Sequence, residues 1–302
     1  MLAGYQKAAE LVVECLPSVA AEECFALKGG TAINLFELDL PRLSVDVDLT
    51  YVKVTDRETA VREINAALLR IAERIRRKGI RVRVSGTDAS RKLFCCGEDA
   101  DIKIEPNFIL RGILFPMRRL TLAKRMEALS GASVEISVLS REELYGGKFC
   151  AALDRQHPRD LFDVAQFFAH GGTVAEVKTG FLALALGHNR PFRELLHPNL
   201  LDQRKTFDRQ FAGMSDQPFS YEEHEETFRR LVNGINDSLT AADRTNIAAF
   251  SALEADADVF GVPGLSKLPA IKWKRRNLLT LRETNRVKFA AEVKSLHVAL
   301  DE

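Results

Sequence analysis

Apolar residues return along the first 172 positions at two spacings, one helical and one alternating. Positions 5–20 carry a helical pattern that Pro17 is expected to stop, and Cys24 to Leu27 is a brief apolar run that reads as a strand. Lys28-Gly29-Gly30-Thr31 then opens a short helix from Ala32 to Leu38, closed by Pro41. Val45, Val47 and Leu49 alternate with Asp46, Asp48 and Thr50, which is a strand with one apolar and one polar face. Val61, Ile64, Leu68, Ile71 and Ile75 keep helical spacing within Asp56 to Arg77, and Gly79 is placed to end that helix. Further strands are expected at 80–84, 93–96, 101–105 and 134–139.

Ser140-Arg141-Glu142-Glu143 has the form of a capping box, so a helix is expected from there to about Asp154. The loop Arg155-Gln156-His157-Pro158 separates it from a second helix ending near Ala169, before Gly171-Gly172. Beyond this the pattern is helical, with loops near Pro191, Pro198, Pro218 and Pro263. The reading is an α/β (α+β) domain over residues 1–172 and a helical C-terminal domain over 173–302.

The polar face of the 45–49 strand carries the first chemistry. Residues two apart on a strand share a face, with Cα atoms roughly 6.5–7 Å apart, so Asp46 and Asp48 can share a hard divalent cation. A pair of such ions can clamp both oxygens of an in-line phosphoryl displacement. A glycine-rich turn entering a helix offers backbone N–H groups to phosphate, and Thr31 adds a hydroxyl. An Asp-x-Asp strand by itself is ordinarily a solvated face, and Gly-Gly by itself a turn. Their succession, glycine turn, helix, then Asp-x-Asp strand, points to nucleotide chemistry. A third carboxylate is expected on a neighbouring strand: Glu105, on the face it shares with Lys103 and Asp101, is the candidate, with Asp101 as the weaker choice.

Lys148, Arg159, Asp160 and Asp163 form a second constellation, the two acids sharing a helix face. Lys148 could steady a leaving pyrophosphate. Spacing alone favours a plainer account, with Asp160 near a helix start and Arg159 and Asp163 in surface pairs.

Composition narrows the setting. The 302 residues are 46% hydrophobic and 28% charged with a formal net charge of +1, so no polyanion partner follows from charge as a whole. No apolar run is long enough for a membrane helix, and the first residues do not read as a signal peptide. Five cysteines without a Cys-x-x-Cys, and six scattered histidines, suggest reduced thiols in a cytoplasm and no zinc site. Positive charge gathers locally between 267 and 288, where Lys272, Lys274, Arg275 and Arg276 surround Trp273. Such a stripe is either a solvated helix face or an RNA-binding surface.

Lys28-Gly29-Gly30-Thr31-Ala32, followed by Arg42-Leu43-Ser44-Val45-Asp46-Val47-Asp48-Leu49, resembles the first motif of the AbiEii family of nucleotidyltransferases. That family includes toxins of type IV toxin–antitoxin systems and the related MenT toxins. Ile102-Lys103-Ile104-Glu105 resembles its second motif, and Glu143 to Lys148 with Pro158-Arg159-Asp160-Leu161-Phe162-Asp163 its later ones. The resemblance covers roughly residues 24–168. It implies a DNA polymerase β-like nucleotidyltransferase core followed by a helical domain, with Mg²⁺, an NTP donor, a tRNA 3′ end as acceptor and a separately encoded antitoxin. It also implies that Asp46 and Asp48, with Glu105, bind metal. By the same resemblance Gly29, Gly30, Thr31, Arg42, Ser44, Arg159 and Asp160 line the nucleotide site, Lys148 contacts the triphosphate, and Asp163 positions Lys148. Relatives commonly carry Gly-Ser where this chain has Gly30-Thr31, and nothing past 172 matches a motif. Two other readings remain open: transfer to a protein or small molecule, and nucleotide binding without catalysis.

Overall fold

The computed structural model describes residues 3–301, which divide into two compact units: 1–140 with 208–218, and 141–207 with 219–302. The sequence reading put a boundary near 172. The compact units part at 140/141, because the two helices after Ser140 pack with later helices.

The first unit is built on a mixed seven-stranded sheet in the order β3-β4-β5-β2-β1-β7-β6. Its strands are β1 (Phe25–Lys28), β2 (Asp46–Tyr51), β3 (Arg81–Ser85), β4 (Lys92–Cys96), β5 (Asp101–Asn107), β6 (Arg118–Thr121) and β7 (Glu135–Val138). Four helices accompany them: α1 (Ala3–Ala20), α2 (Gly29–Ala32), which continues as a π-helical turn over Ile33–Glu37, α3 (Arg57–Arg77) and α4 (Lys124–Ser130). Central β2 pairs antiparallel with β1 and parallel with β5. Val47 and Leu49 of β2 and Ile102 and Ile104 of β5 are buried, so the alternate residues form one polar face.

α3 follows its sequence cues. Asp56 caps it by accepting from the Thr59 N–H at 2.8 Å, and Ile64, Leu68, Ile71 and Ile75 are buried. α1 departs from expectation. Pro17 lies inside its last stretch without ending it, since Val12, Val13, Leu16 and Val19 form a continuous buried stripe whose packing outweighs one lost backbone hydrogen bond. β6, a short strand at the sheet edge, and α4 were not anticipated.

The second unit holds α5 (Arg141–Arg155), α6 (Pro158–Ala169), α7 (Val174–Leu186) and α8 (Phe192–Leu196). α9 (Arg204–Gln210) straddles the division, and α10 (Tyr221–Ser238), α11 (Ala241–Ser251), α12 (Pro269–Thr284) and α13 (Arg286–Asp301) complete the unit. α5 and α7 approach so closely that a Cβ on Gly146 would stand 2.5 Å from the Gly180 carbonyl carbon. Only glycines permit that crossing, and it fixes the helix that carries Lys148. Helical character after 173 is as expected, and no described helix is long and apolar enough to cross a membrane.

Candidate active site

β1 ends at Lys28, paired with Asp48, so the chain bends into α2 directly beside the polar face of β2. Gly29 has φ +70°, and a Cβ there would lie 2.8 Å from the Asp48 carboxylate. A Cβ on Gly30 would lie 2.6 Å from a terminal nitrogen of Arg42 and 3.0 Å from the Ser44 hydroxyl. The two glycines therefore let the backbone press against the functional side chains. The Thr31 hydroxyl is within hydrogen-bond distance of Ser44 Oγ, at 3.0 Å, and donates to the Asp46 carbonyl. This ties the start of α2 to the entry of β2.

Arg42 is buried and donates to the Leu43 carbonyl at 3.0 Å. Its loop is braced by the returning segment 208–218. Arg42 bridges to Ser215, the Leu43 N–H donates to the Met214 carbonyl at 2.8 Å, and the Ser215 hydroxyl donates to the Pro41 carbonyl at 2.8 Å.

The parallel register of β2 and β5 sets Asp46 across from Lys103 and Asp48 across from Glu105. Glu105 accordingly joins the face of the Asp-x-Asp pair. Asp101 lies at the exposed start of β5, opposite Cys96. Lys103 pairs with Glu105 at 2.6 Å, and Lys92 stands 3.8 Å from Glu105. Partial burial works against the Lys103 charge, but Glu105, Asp46 and Asp48 outweigh it and hold its pKa above the ordinary value. For Glu105, partial burial is likewise outweighed by Lys103, helped by Lys92 and Lys28, and its carboxyl sits below the usual range. Among the described residues no three His, Cys, Asp or Glu side chains are gathered for a metal ion, since Glu105 is turned to Lys103.

In the second unit, Lys148 is buried between two acids, its Nζ 2.8 Å from Asp160 and 2.8 Å from Asp163. Asp163 is fully buried, so the surface pair that spacing suggested does not form. Asp160 also accepts from Arg155 Nε at 2.6 Å. Burial alone would raise the Asp160 pKa, but Lys148 and Arg155 reverse this and hold it well below the carboxylate range. Arg159 is half-buried in the first turn of α6, where its N–H donates to His157 Nδ1 at 3.2 Å.

The basic stripe separates into two kinds of side chain. Lys272 and Arg276 are exposed, and the Arg276 guanidinium lies 5.9 Å from the ring centroid of half-exposed Trp273. Lys274 instead donates to the carbonyls of His188 and Arg190 at 2.7 and 2.8 Å, and Arg275 donates to the Ala255 carbonyl at 2.6 Å. Trp273 and Lys274 also line a cavity of about 320 Å³ with Phe250 and Phe289. Sequence reasoning gave no role to Lys103 or to segment 208–218. The alternation of β5 put Lys103 on the correct face, whereas nothing local marks the segment that braces Arg42.

The structure is similar to that of MenT4, a nucleotidyltransferase toxin from Mycobacterium tuberculosis H37Rv, with a TM-score of 0.65 at 17% identity over 88% of this chain and 94% of that one. That likeness is one of fold. The chain itself is a member of the family described as nucleotidyl transferase AbiEii toxin, type IV TA system, whose sequence profile matches residues 10–245. No curated protein sequence matches it. The protein is therefore a nucleotidyltransferase toxin, and its family implies an NTP substrate and an antitoxin.

Proposed function

We propose that this toxin transfers a nucleotide from an NTP to the 3′ end of an RNA, with tRNA as the acceptor, in a Mg²⁺-dependent reaction that releases pyrophosphate. The observation that carries the reading is the common face of Asp46, Asp48 and Glu105 beside the Gly29–Gly30 bend. These residues fit Mg²⁺: their donors are hard carboxylate oxygens, partly open to water, and Glu105 already pairs with a cation, Lys103, whose charge Asp46 and Asp48 also favour. Asp46 and Asp48 would hold the ion, with Glu105 joining once it releases Lys103. Bound Mg²⁺ supplies neutralising charge for the triphosphate and for the entering and leaving oxygens.

The protein's own groups do the rest. Gly29, Gly30 and Thr31 turn the backbone against Asp48, where its N–H groups suit phosphate, and Arg42 and Ser44 border the same bend. Within the second unit, Lys148 offers an ammonium suited to phosphate, with Asp160 and Asp163 fixing its position and Arg159, on the helix of those two acids, adding charge. Lys272 and Arg276, with Trp273, present cations and a ring to RNA, while Lys274 and Arg275 hold that surface in place. All five cysteines are free thiols, which suits a cytoplasmic setting.

The test is direct. Purified protein is incubated with Mg²⁺, each α-labelled NTP in turn and total tRNA, beside the Asp46→Ala, Asp48→Ala double variant. Label on tRNA with the native protein alone is expected. Label on protein, or none on any RNA, overturns the acceptor assignment. Charge reversal at Lys272 and Arg276 should weaken RNA binding in a salt-dependent way; no change would return the stripe to a solvated surface.

A further inference from the structure

One buried arginine of the first unit makes no ion pair among the described residues. Arg111 follows β5 in a turn held by the Asn107 side chain, which accepts the N–H groups of Ile109 and Leu110 at 2.9 and 2.8 Å. The Gly112 N–H then donates to the Tyr51 carbonyl at the end of β2. This delivers Arg111 to the start of α3, where it is only 7% exposed. Among the described residues its one side-chain hydrogen bond is long, 3.4 Å from Nη1 to the Asp56 carbonyl, and its Nε is buried without a partner.

The acids nearby are otherwise engaged. The Asp56 carboxylate caps α3, and Glu63 accepts from Tyr51 and Lys53, each at 2.8 Å. Arg57, next to Asp56, is exposed and makes no side-chain hydrogen bond or ion pair among the described residues. Burial, and after it the Arg57 charge, disfavours the charged form of Arg111, with Tyr51 and Asp56 opposing only in part. The other arginines bound to this unit's acids show the contrast: Arg118 pairs with Glu37 at 2.7 Å, and Arg70 and Arg74 pair with Glu22.

A guanidinium cannot escape burial by losing its proton, so an unpaired one is a cost that an incoming anion would remove. Two permanent cations at the start of one helix, one of them desolvated and both with planar donor forks, suit phosphate oxygens. We propose that Arg57 and Arg111 form a second anion site that holds a backbone phosphodiester of the RNA acceptor. The site lies at the opposite end of β2 from the glycine bend. In register Lys28 meets Asp48 whereas Phe25 meets Tyr51, a separation of roughly 10 Å at about 3.3 Å per strand residue. Phosphates seated at the bend therefore leave Arg111 open to another ligand. The assignment to RNA rests on the acceptor reading above; the existence of the anion site does not.

Two variants test it, Arg57→Gln at an exposed position and Arg111→Met, which keeps the apolar stem. Thermal unfolding is followed with and without inorganic phosphate, and binding of tRNA and of NTP is measured across a salt series. The wild type should gain more melting temperature from phosphate than either variant. Arg111→Met without phosphate should melt no lower than wild type, because it removes a buried unpaired charge; an arginine with a structural partner would show a clear drop. The tRNA salt slope should fall by about one in each variant while NTP affinity stays unchanged. Equal phosphate responses in all three proteins overturn the site. A lost phosphate response with an unaltered tRNA slope, or with weakened NTP binding, overturns the RNA assignment and gives the site to a free or nucleotide phosphate. A wild type that responds to phosphate but binds no RNA overturns that assignment together with the acceptor reading.

Discussion

Asp48 lies directly across from Glu105 in the parallel pairing of β2 and β5, while the glycine bend on its other side approaches so closely that a single methyl group would collide with the Asp48 carboxylate. The carboxylate thus has backbone pressed on one flank and a second acid across from it on the other. Asp48→Ala should lower transfer by at least about a hundredfold, as loss of one preorganised electrostatic contact does. The melting temperature should stay within about 5 °C, since the side chain is partly exposed. Calorimetry and label transfer on the same preparation check both; full activity would remove Asp48 from the site.

Gly30→Ala tests the close approach from the other direction. The new methyl would meet Arg42, which is 2% exposed and clamped by its loop, so it cannot swing away cheaply. A loss of about 1–3 kcal/mol in denaturant unfolding is expected, with NTP affinity falling further than stability accounts for. A variant as stable and as tight-binding as wild type would mean that the bend has slack.

Asp163→Ala should be strongly destabilising. It leaves Lys148 buried against Asp160, which is shared with Arg155. Breaking such a pair from one side costs on the order of 3–5 kcal/mol. Chemical denaturation reads this directly; a change under about 1 kcal/mol would show that water reaches Lys148.

Lys274 gives a pH signature. Burial lowers its pKa from 10.5 to about 8, against the opposing pull of Glu194 and Glu292. Between those two values the unfolded chain binds more protons than the folded one, so stability from this group rises as pH climbs from about 8 to 10.5. Lys274→Met should abolish that rise, measured as the difference between the two proteins' melting temperatures across the range. Parallel curves would place the Lys274 amine in contact with water.

The elements legible in the sequence are those whose pattern is local. The alternation of Asp46 to Thr50 revealed both β2 and its polar face, and the cap Asp56, the buried isoleucines and Gly79 bounded α3 to within a residue. β6 was missed because Arg118-Arg119-Leu120-Thr121 is an edge strand with one apolar residue, and its arginines are what an edge carries to discourage further pairing. Pro17 misled because its cost is fixed while the burial that offsets it depends on neighbours distant in sequence. The Lys148 network was undecidable from spacing, since three charges on two helices read alike whether solvated or enclosed. Lys274 and Arg275 counted as free cations for the same reason: they donate to carbonyls, which residue types do not disclose, and Arg275 also stands 3.6 Å from Asp256.

Arg42 takes its bracing from Met214 and Ser215. During synthesis the ribosome therefore delivers the glycine bend, the three acids and both helices of the lysine network well before it delivers the clasp for Arg42. A chain stalled or cut before residue 208 would hold each of those chemical groups and lack that clasp. The order of delivery is thus a built-in delay: the loop that carries Arg42 gains its clasp only after Met214 and Ser215 have been translated.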